Sequence, residues 1–206
     1  MVVAPSSRRR SNARGVLFVS AACFLALALA VIVFHPVPGD AAARTCLVGL
    51  GSPGVLQIMR VINPLGSWRL LLPATLLLLV AFPRARARWW IWIGLMLAAP
   101  AAEGLLKLLI DRARPEEASM GFPSGHATAA TAFFGALMYL AASLPPRSRI
   151  IVRAGSVLLI LLVALARVIL RAHWPVDALA GIALGSVSAS MAALLDGHGA
   201  PSESAT

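Results

Sequence analysis

The sequence predicts an all-α fold, a polytopic membrane bundle of six transmembrane helices with an outward-facing polar pocket. Apolar residues make up 59% of the 206-residue chain, and the mean hydropathy is +0.84. Charged residues make up only 13% and fall in short clusters between long apolar runs. Because one span needs ~20 mostly apolar residues, six spans need ~120, which is close to the number available. This composition excludes an ordinary soluble domain, a disordered chain and a coiled coil.

The first apolar run, residues 16–34, follows a basic N-terminus, residues 1–15, which we expect to be flexible and cytoplasmic. A cleaved signal peptide is the alternative, because the small residues 41–43 resemble a cleavage site. The run exceeds the ~7–15 residues of a signal peptide's apolar region, so a retained first span is favoured. Residues 35–66 are rich in Pro and Gly, which favours a short surface helix over a span. We expect 41–66 to be an extracytoplasmic interfacial segment and a candidate lid.

Five further apolar runs complete the predicted membrane domain, residues 16–195. These spans are 68–82, 89–110, 126–144, 150–170 and 175–195. Pro175 suits the first turn of the last helix, because the N–H that proline lacks would have no partner there. The tail, residues 196–206, is small and polar, and we expect it to be disordered and cytoplasmic.

The net charge is +10, and 17 of the 18 basic residues are Arg. In a soluble protein this charge would suggest nucleic acid, but basic loops between apolar runs predict contact with anionic membrane lipids instead. Six spans put both termini on the side that holds ten Arg residues and leave eight basic residues opposite. Five of those eight lie in two clusters, within 107–114 and 167–171. Without these clusters the bias is ten to three, which predicts a plasma-membrane protein with cytoplasmic termini.

Three polar segments lie at the outer ends of predicted spans. They are residues 107–115, 122–126 and 167–177. Within them, Lys107, Arg114 and Arg167 gather positive charge at the ends of apolar helices, which is costly unless an anion neutralises it. Phosphate suits this mixture, because Arg offers a planar fork to its oxygens and Lys a point charge. These three residues are therefore candidate phosphate ligands.

The same segments also supply groups suited to phosphoryl transfer. Ser124 and Gly125 lie where an apolar helix begins, and the N–H groups of a helix start form an anion site. Asp177, in the first turn of the last helix, can hold one imidazole nitrogen of His173 and leave the other free to attack. His126 can then give a proton to the leaving oxygen. These residues predict a phosphoryl-transfer site that needs no metal and no cofactor.

The three segments resemble the motifs of the type 2 phosphatidic acid phosphatase superfamily of integral-membrane lipid phosphatases. The matching patterns are K-x6-R-P at 107–115, P-S-G-H at 123–126 and R-x5-H-x3-D at 167–177. The resemblance implies a phosphohistidine intermediate on His173, protonation of the leaving group by His126, and hydrolysis without a metal. The family normally has Ser before Arg167, and Ala166 here removes one hydroxyl from the expected phosphate cradle.

The expected function is hydrolysis of the terminal phosphate of a lipid phosphate or polyprenyl diphosphate, of the phosphatidic acid or undecaprenyl diphosphate type, at the outer leaflet. The alternative is a membrane transporter or binder of anionic lipid or phosphate that uses the same cations without catalysis. Transporters often carry paired broken helices, and the sequence has no such pairing. The expected partners are this substrate and membrane lipids, with no nucleic acid. The sequence leaves the oligomeric state open.

Other charged residues have simpler interpretations. Glu103 lies four residues before Lys107 on one helix face, which predicts an ion pair. Arg112 and Arg171 match no motif position, and we expect them to contact lipid headgroups. A metal site on the two histidines and the Asp of the motifs lacks an evident fourth ligand, and the neighbouring cations would repel a metal ion.

Overall fold

The computed structural model describes residues 7–34 and 36–198, which form nine α-helices and two 3₁₀ turns. The helices are α1 (Ser7–Val33), α2 (Asp40–Gly49), α3 (Pro53–Ile62), α4 (Trp68–Ala81), α5 (Pro83–Ala87), α6 (Trp89–Ile110), α7 (Gly125–Leu140), α8 (Pro146–Ile169) and α9 (Pro175–His198). The 3₁₀ turns are Asn63–Gly66 and Ala141–Ser143. These residues include no strand, only an isolated bridge between Ala113 and Met120. The all-α prediction is confirmed.

Four helices in the described residues are long and apolar enough to cross a membrane. They are Arg10–Val33, Trp89–Ile110, Pro146–Ile169 and Pro175–Gly197, which match the first, third, fifth and sixth predicted spans. The helices at the second and fourth, α4 and α7, have 14 and 16 residues, fewer than the ~20 that cross a bilayer. Residues 40–66 could form a fifth span bent by 109°. A count of six spans remains a prediction.

The two short helices have different local causes. Pro83 disfavours helical backbone at the residue before it, so α4 ends and Phe82 is extended, with φ −121° and ψ 102°. In α7, ten of the 16 residues are buried, and the helix packs against α4, α6, α8 and α9. It is the central helix of the bundle, and the helices around it enclose most of its surface.

Residues 36–66 are more closely packed than the single surface helix that the sequence predicts. The Ser52 hydroxyl accepts a hydrogen bond from the Val55 N–H at 3.4 Å, and Pro53 occupies the first turn of α3. Met59 of α3 is buried in a cluster with Ala166 and Ile169 of α8. The segment is therefore part of the bundle, and the helix pair replaces the predicted surface helix. Its position relative to the membrane stays a prediction.

Two glycines allow α9 to lie directly against α7. A Cβ atom on Gly181 would lie 2.6 Å from the Ser124 carbonyl oxygen, and one on Gly185 would lie 2.5 Å from that of Thr128. Both distances are far below van der Waals contact, and the obstacle is backbone that cannot turn aside. This approach brings the start of α7, with Ser124, beside the start of α9.

We expect Gly185→Ala to destabilise the protein by about 1–3 kcal/mol, because the added methyl group overpacks the contact between α7 and α9. Thermal unfolding in detergent measures the effect. Gly94→Ala in α6 is the matched control, since a Cβ there meets nothing within 4 Å. A melting temperature of Gly185→Ala equal to that of the control would contradict the close packing.

Both ends of the predicted membrane domain extend further than expected. α1 begins at Ser7, within the N-terminus predicted to be flexible, and α9 runs to His198, into the predicted tail. Asp196 is buried, accepts hydrogen bonds from Arg84 Nε at 2.6 Å and from the Tyr139 hydroxyl at 2.9 Å, and so ties the end of α9 to α5 and α7. The remaining parts of these two predictions, residues 1–6 and 199–206, lie outside the described residues.

A mostly apolar cavity of about 490 Å³ lies between α1, α7, α8 and α9. Its lining extends along α7 from Thr131 to Tyr139, away from the end where the polar motif segments meet, and reaches Arg153 of α8. This cavity is not the polar pocket that the sequence predicts, and that pocket stays a prediction.

Candidate active site

The three polar segments meet at one end of the bundle. The Ser124 N–H donates to the Asp177 carbonyl at 2.9 Å, which joins the start of α7 to the first turn of α9. The loop before α7 is closed by hydrogen bonds from Arg114 N to Ser119 O at 3.0 Å and from Gly121 N to Arg112 O at 2.6 Å. These contacts carry the loop from the end of α6 to the start of α7.

His126 lies in the first turn of α7 at the centre of the group. The charges of Lys107, Arg114 and Arg167 and the imidazole of His173 all lie close enough to act on it electrostatically. Its backbone is held by Gly66, where a Cβ atom would lie 2.8 Å from the His126 carbonyl oxygen. The structure thus gathers the residues predicted from all three segments around one position. Their chemical roles remain predictions.

His173 is buried in the short loop between α8 and α9. The backbone N–H of His173 donates to the Arg167 carbonyl at 3.1 Å, and this hydrogen bond holds His173 next to the end of α8. Nδ1 of His173 lies 3.5 Å from Oδ2 of Asp177, which also accepts a hydrogen bond from the Trp174 N–H at 3.1 Å. The carboxylate therefore faces one nitrogen of the ring, but Nδ1 has no hydrogen-bond partner among the described residues, and its orientation by Asp177 stays a prediction.

The surroundings of His173 favour its neutral form. Burial lowers the pKa of His173 below its ordinary value of 6.5, and the positive charges of Arg167 and Arg114 lower it further. Asp177 acts in the opposite direction and offsets only part of this effect. The imidazole is therefore neutral at pH 7, and a neutral imidazole is the form that can attack phosphorus.

Several donors in the site are buried without a hydrogen-bond partner among the described residues. Besides His173 Nδ1, they are Ser124 Oγ, Arg114 Nε and Arg167 Nε. Each belongs to a group with a strong preference for phosphate oxygens, and an unpaired buried donor costs about 1–3 kcal/mol. The other contacts of these two Arg residues are to Glu117 Oε2 at 3.1 Å and to Asn63 Oδ1 at 2.7 Å, respectively. Bound phosphate would satisfy the donors left over.

The predicted ion pair between Glu103 and Lys107 is present. The Glu103 carboxylate also lies against the backbone of Gly125, where a Cβ atom would come within 2.8 Å of Oε1. In this structure a carboxylate from α6 therefore lies close to the backbone at the start of α7. A side chain at this position would push Glu103 and its Lys107 partner away from the start of α7.

The prediction that Arg112 contacts lipid headgroups is wrong. Its guanidinium group lies between two buried carboxylates, with Nη1 2.6 Å from Asp177 Oδ1 and Nη2 2.6 Å from Asp40 Oδ2. No local sequence signal could pair these residues, because they are 65 and 72 positions apart. Arg171, given the same interpretation, is exposed and lies 3.5 Å from Glu116.

Asp40 is a further site residue that sequence reasoning missed. It is buried, and besides Arg112 its Oδ1 accepts a hydrogen bond from the Val176 N–H at 3.0 Å. That N–H belongs to the first turn of α9, where backbone donors have no partner within the helix. Among the described residues, no group of three or more His, Cys, Asp and Glu side chains is placed to hold a metal ion.

Comparison with known proteins agrees with these motifs. The model of the PAP2 superfamily matches residues 88–196. Decaprenylphosphoryl-5-phosphoribose phosphatase of Mycobacterium tuberculosis is 32% identical over 161 residues, which cover 71% of this chain and 82% of that protein. Lipid A 1-phosphatase of Rhizobium etli is 35% identical over 130 residues, 53% of each chain. The crystal structure of a transmembrane PAP2-type phosphatidylglycerolphosphate phosphatase from Bacillus subtilis superposes with a TM-score of 0.77, at 26% identity over 85% of this chain and 93% of that one.

Proposed function

The chain belongs to the PAP2 superfamily and is a phosphatase, and from that premise we propose that it removes the terminal phosphate of a lipid phosphate or polyprenyl diphosphate through a phosphohistidine on His173. The observation that carries this proposal is the buried His173 facing Asp177, at a site where donors of Ser124, Arg114 and Arg167 have no partner among the described residues. Mere binding of an anion would need the donors but not the aligned histidine. This contrast disfavours the alternative of a transporter or binder.

In the first step, Nε2 of His173 attacks phosphorus, and the bond from phosphorus to the lipid oxygen breaks. Asp177 holds Nδ1 and stabilises the positive charge that develops on the ring. His126 gives a proton to the departing oxygen, so the lipid leaves as an alcohol or a monophosphate. Lys107, Arg114, Arg167 and the α7 N-terminus stabilise the negative charge on the transferred group.

In the second step, water attacks the phosphohistidine while His126 takes the water's proton. The bond between nitrogen and phosphorus breaks, inorganic phosphate leaves, and both histidines return to their starting states. Because side chains supply all of the positive charge, the reaction that we propose needs neither a metal ion nor a cofactor.

The substrate class is tested by phosphate release from purified protein in EDTA. The panel contains phosphatidate, phosphatidylglycerophosphate, undecaprenyl diphosphate and a decaprenyl-linked phosphosugar, since the similar proteins named above act on lipid-linked phosphates. We expect turnover of at least one lipid, unchanged by EDTA and inhibited by vanadate. Binding without turnover across the panel would favour the transporter alternative, and activity that needs added Mg²⁺ or Zn²⁺ would contradict the mechanism.

We also propose that the chain lies in the plasma membrane with both termini in the cytoplasm and the site facing outward. The charge bias between the two sides, ten Arg against three outside the motif clusters, supports this orientation. The cations of the site would then oppose the bias because the phosphate of the substrate determines their place.

This orientation predicts the reactivity of single cysteines in intact cells. In a background without Cys23 and Cys46, we expect a Cys at Glu117 to react with a membrane-impermeant thiol reagent. A Cys at Arg86 should react only after the membrane is opened, and both positions are exposed. The reverse pattern would place the site in the cytoplasm and would remove an outer-leaflet lipid as the substrate.

A further inference from the structure

The two oxygens of the Asp177 carboxylate have different neighbours. Oδ2 faces His173 Nδ1 at 3.5 Å, and Oδ1 accepts a hydrogen bond from Arg112 Nη1 at 2.6 Å. The second nitrogen of the same guanidinium donates to Asp40 Oδ2 at 2.6 Å. Asp177 is completely buried and Asp40 nearly so. These contacts run from the start of α2 to the carboxylate that faces the proposed nucleophile, and we name them the Asp40–Arg112–Asp177 network.

We propose that Arg112 and Asp40 are positioning residues for the reaction at His173, an inference that rests on the proposed function. Neither residue touches the reacting atoms. Arg112 holds Oδ1 and thereby sets the rotation of the Asp177 carboxylate that aims Oδ2 at the imidazole. Asp40 holds Arg112, and through the Val176 N–H it also holds the first turn of α9, on which Asp177 lies.

The geometry requires an arginine at this position. The guanidinium group is planar, and two of its nitrogens point to two separate carboxylates at the same time. Its side chain is 10% exposed, and it lies over the ring of Trp174, 5.4 Å from the ring centre. Trp174 is itself fixed by a hydrogen bond from Nε1 to the Ala113 carbonyl at 3.2 Å. Lysine would bring one point charge and could not hold both carboxylates in this plane.

The network also sets the electrostatic balance at His173. The charged and titratable groups that act on this imidazole are Asp177 on α9, Arg167 on α8, Arg114 on the loop before α7, and His126 on α7. Arg112 weakens the pull of Asp177 on a proton at His173, because it shares the charge of that carboxylate. Asp40 in turn draws part of the Arg112 charge away. Loss of Arg112 and loss of Asp40 should therefore affect the titration of His173 in opposite directions.

The test compares three variants with two matched controls. The variants are Arg112→Lys, Asp40→Asn and the double variant Asp40→Asn/Arg112→Gln, which avoids a buried Asp40 without its partner. The controls make the same chemical changes at exposed sites of the same end, Arg171→Lys and Asp111→Asn. Measurements are kcat and KM for the best lipid of the panel, thermal unfolding, and the pKa of His173 from NMR of ¹³C-labelled histidine.

We expect Arg112→Lys and the double variant to lower kcat by on the order of 10- to 100-fold with KM within about threefold of the wild type, because a misaligned group affects the transition state more than binding. Asp40→Asn should lower kcat less. The pKa of His173 should rise in the double variant and fall in Asp40→Asn, and the controls should match the wild type. A network that only stabilised the fold would lower the melting temperature without these opposite shifts.

The outcomes separate this inference from the proposed function. A wild-type protein that releases no phosphate from any lipid overturns the proposed function, whereas opposite pKa shifts would still show that the network acts on His173. An active wild type whose kcat and His173 pKa are unchanged in the double variant overturns the inference. If Arg112→Lys does not fold, the double variant and Asp40→Asn decide the matter alone.

Discussion

Replacement of His173 by alanine is expected to lower the rate of phosphate release by on the order of 10⁴-fold or more, because the proposed nucleophile is lost. The imidazole is buried, but it lies in the loop between α8 and α9 rather than inside a helix. The variant should therefore still insert and fold, with the rest of the binding groups in place. The measurements are the rate of phosphate release in detergent and the circular dichroism spectrum. We expect no turnover and an unchanged helical spectrum.

Two further variants make this result specific. Asp177→Asn should cost less than His173→Ala, because Asp177 orients the imidazole and does not attack. Arg171→Ala, two residues before His173 and exposed, should keep its activity. Rapid alkaline quenching of the wild type with a ³²P-labelled lipid should trap labelled protein, and His173→Ala should trap none. Near-normal phosphate release from His173→Ala would remove His173 from the mechanism.

The second large effect is expected at His126. His126→Ala should lower turnover of a lipid phosphate by roughly 10²- to 10⁴-fold, the usual contribution of a general acid. The loss should depend on the leaving group, because an aryl phosphate such as p-nitrophenyl phosphate leaves without a proton. On that substrate the first step should proceed in the variant, and the second step, which needs a base for water, should become limiting.

The expected signature is accumulation of labelled phosphoenzyme in His126→Ala with the aryl substrate, seen as a burst of p-nitrophenol followed by slow release of phosphate. The backbone of His126 packs directly against Gly66, because a glycine leaves room for the His126 carbonyl and Cβ. This contact fixes where the His126 side chain begins. Gly66→Ala, which would push this backbone, should show the same leaving-group dependence more weakly. Equal losses on the lipid and aryl substrates in His126→Ala would contradict a proton-donor role and indicate that His126 contributes to binding.

Local patterns were sufficient for much of this protein. The all-α class follows from composition, and four of the predicted spans correspond to helices of the required length. The pair of Glu103 and Lys107 follows from their spacing, because residues four apart lie on one face of a helix. The motif residues between Lys107 and Asp177 can be recognised from the sequence because each motif is a short pattern. The family that they indicate is the one that the comparisons show.

The failures share one cause, which is contact between residues far apart in the chain. Arg112 is a basic residue at the end of an apolar run, which is typical of a membrane surface. Its partners Asp40 and Asp177 are too far away in the sequence to be inferred from local spacing. Asp196 resembles the start of a polar tail, but Arg84, 112 residues away, holds it inside the bundle. In both cases a buried charge is tolerated because another element supplies its counter-ion.

The sequence by itself therefore determined the class of fold and the family, because apolar runs and short motifs depend on neighbours in the chain. The tertiary structure alone decided which helix is central, how residues 36–66 pack, and what holds the Asp177 carboxylate. The close approach of α9 to α7 at Gly181 and Gly185 brings the start of each helix together. The position of α2 then gives Arg112 its second carboxylate. Such pairings depend on how whole helices pack, and no single stretch of sequence contains that information.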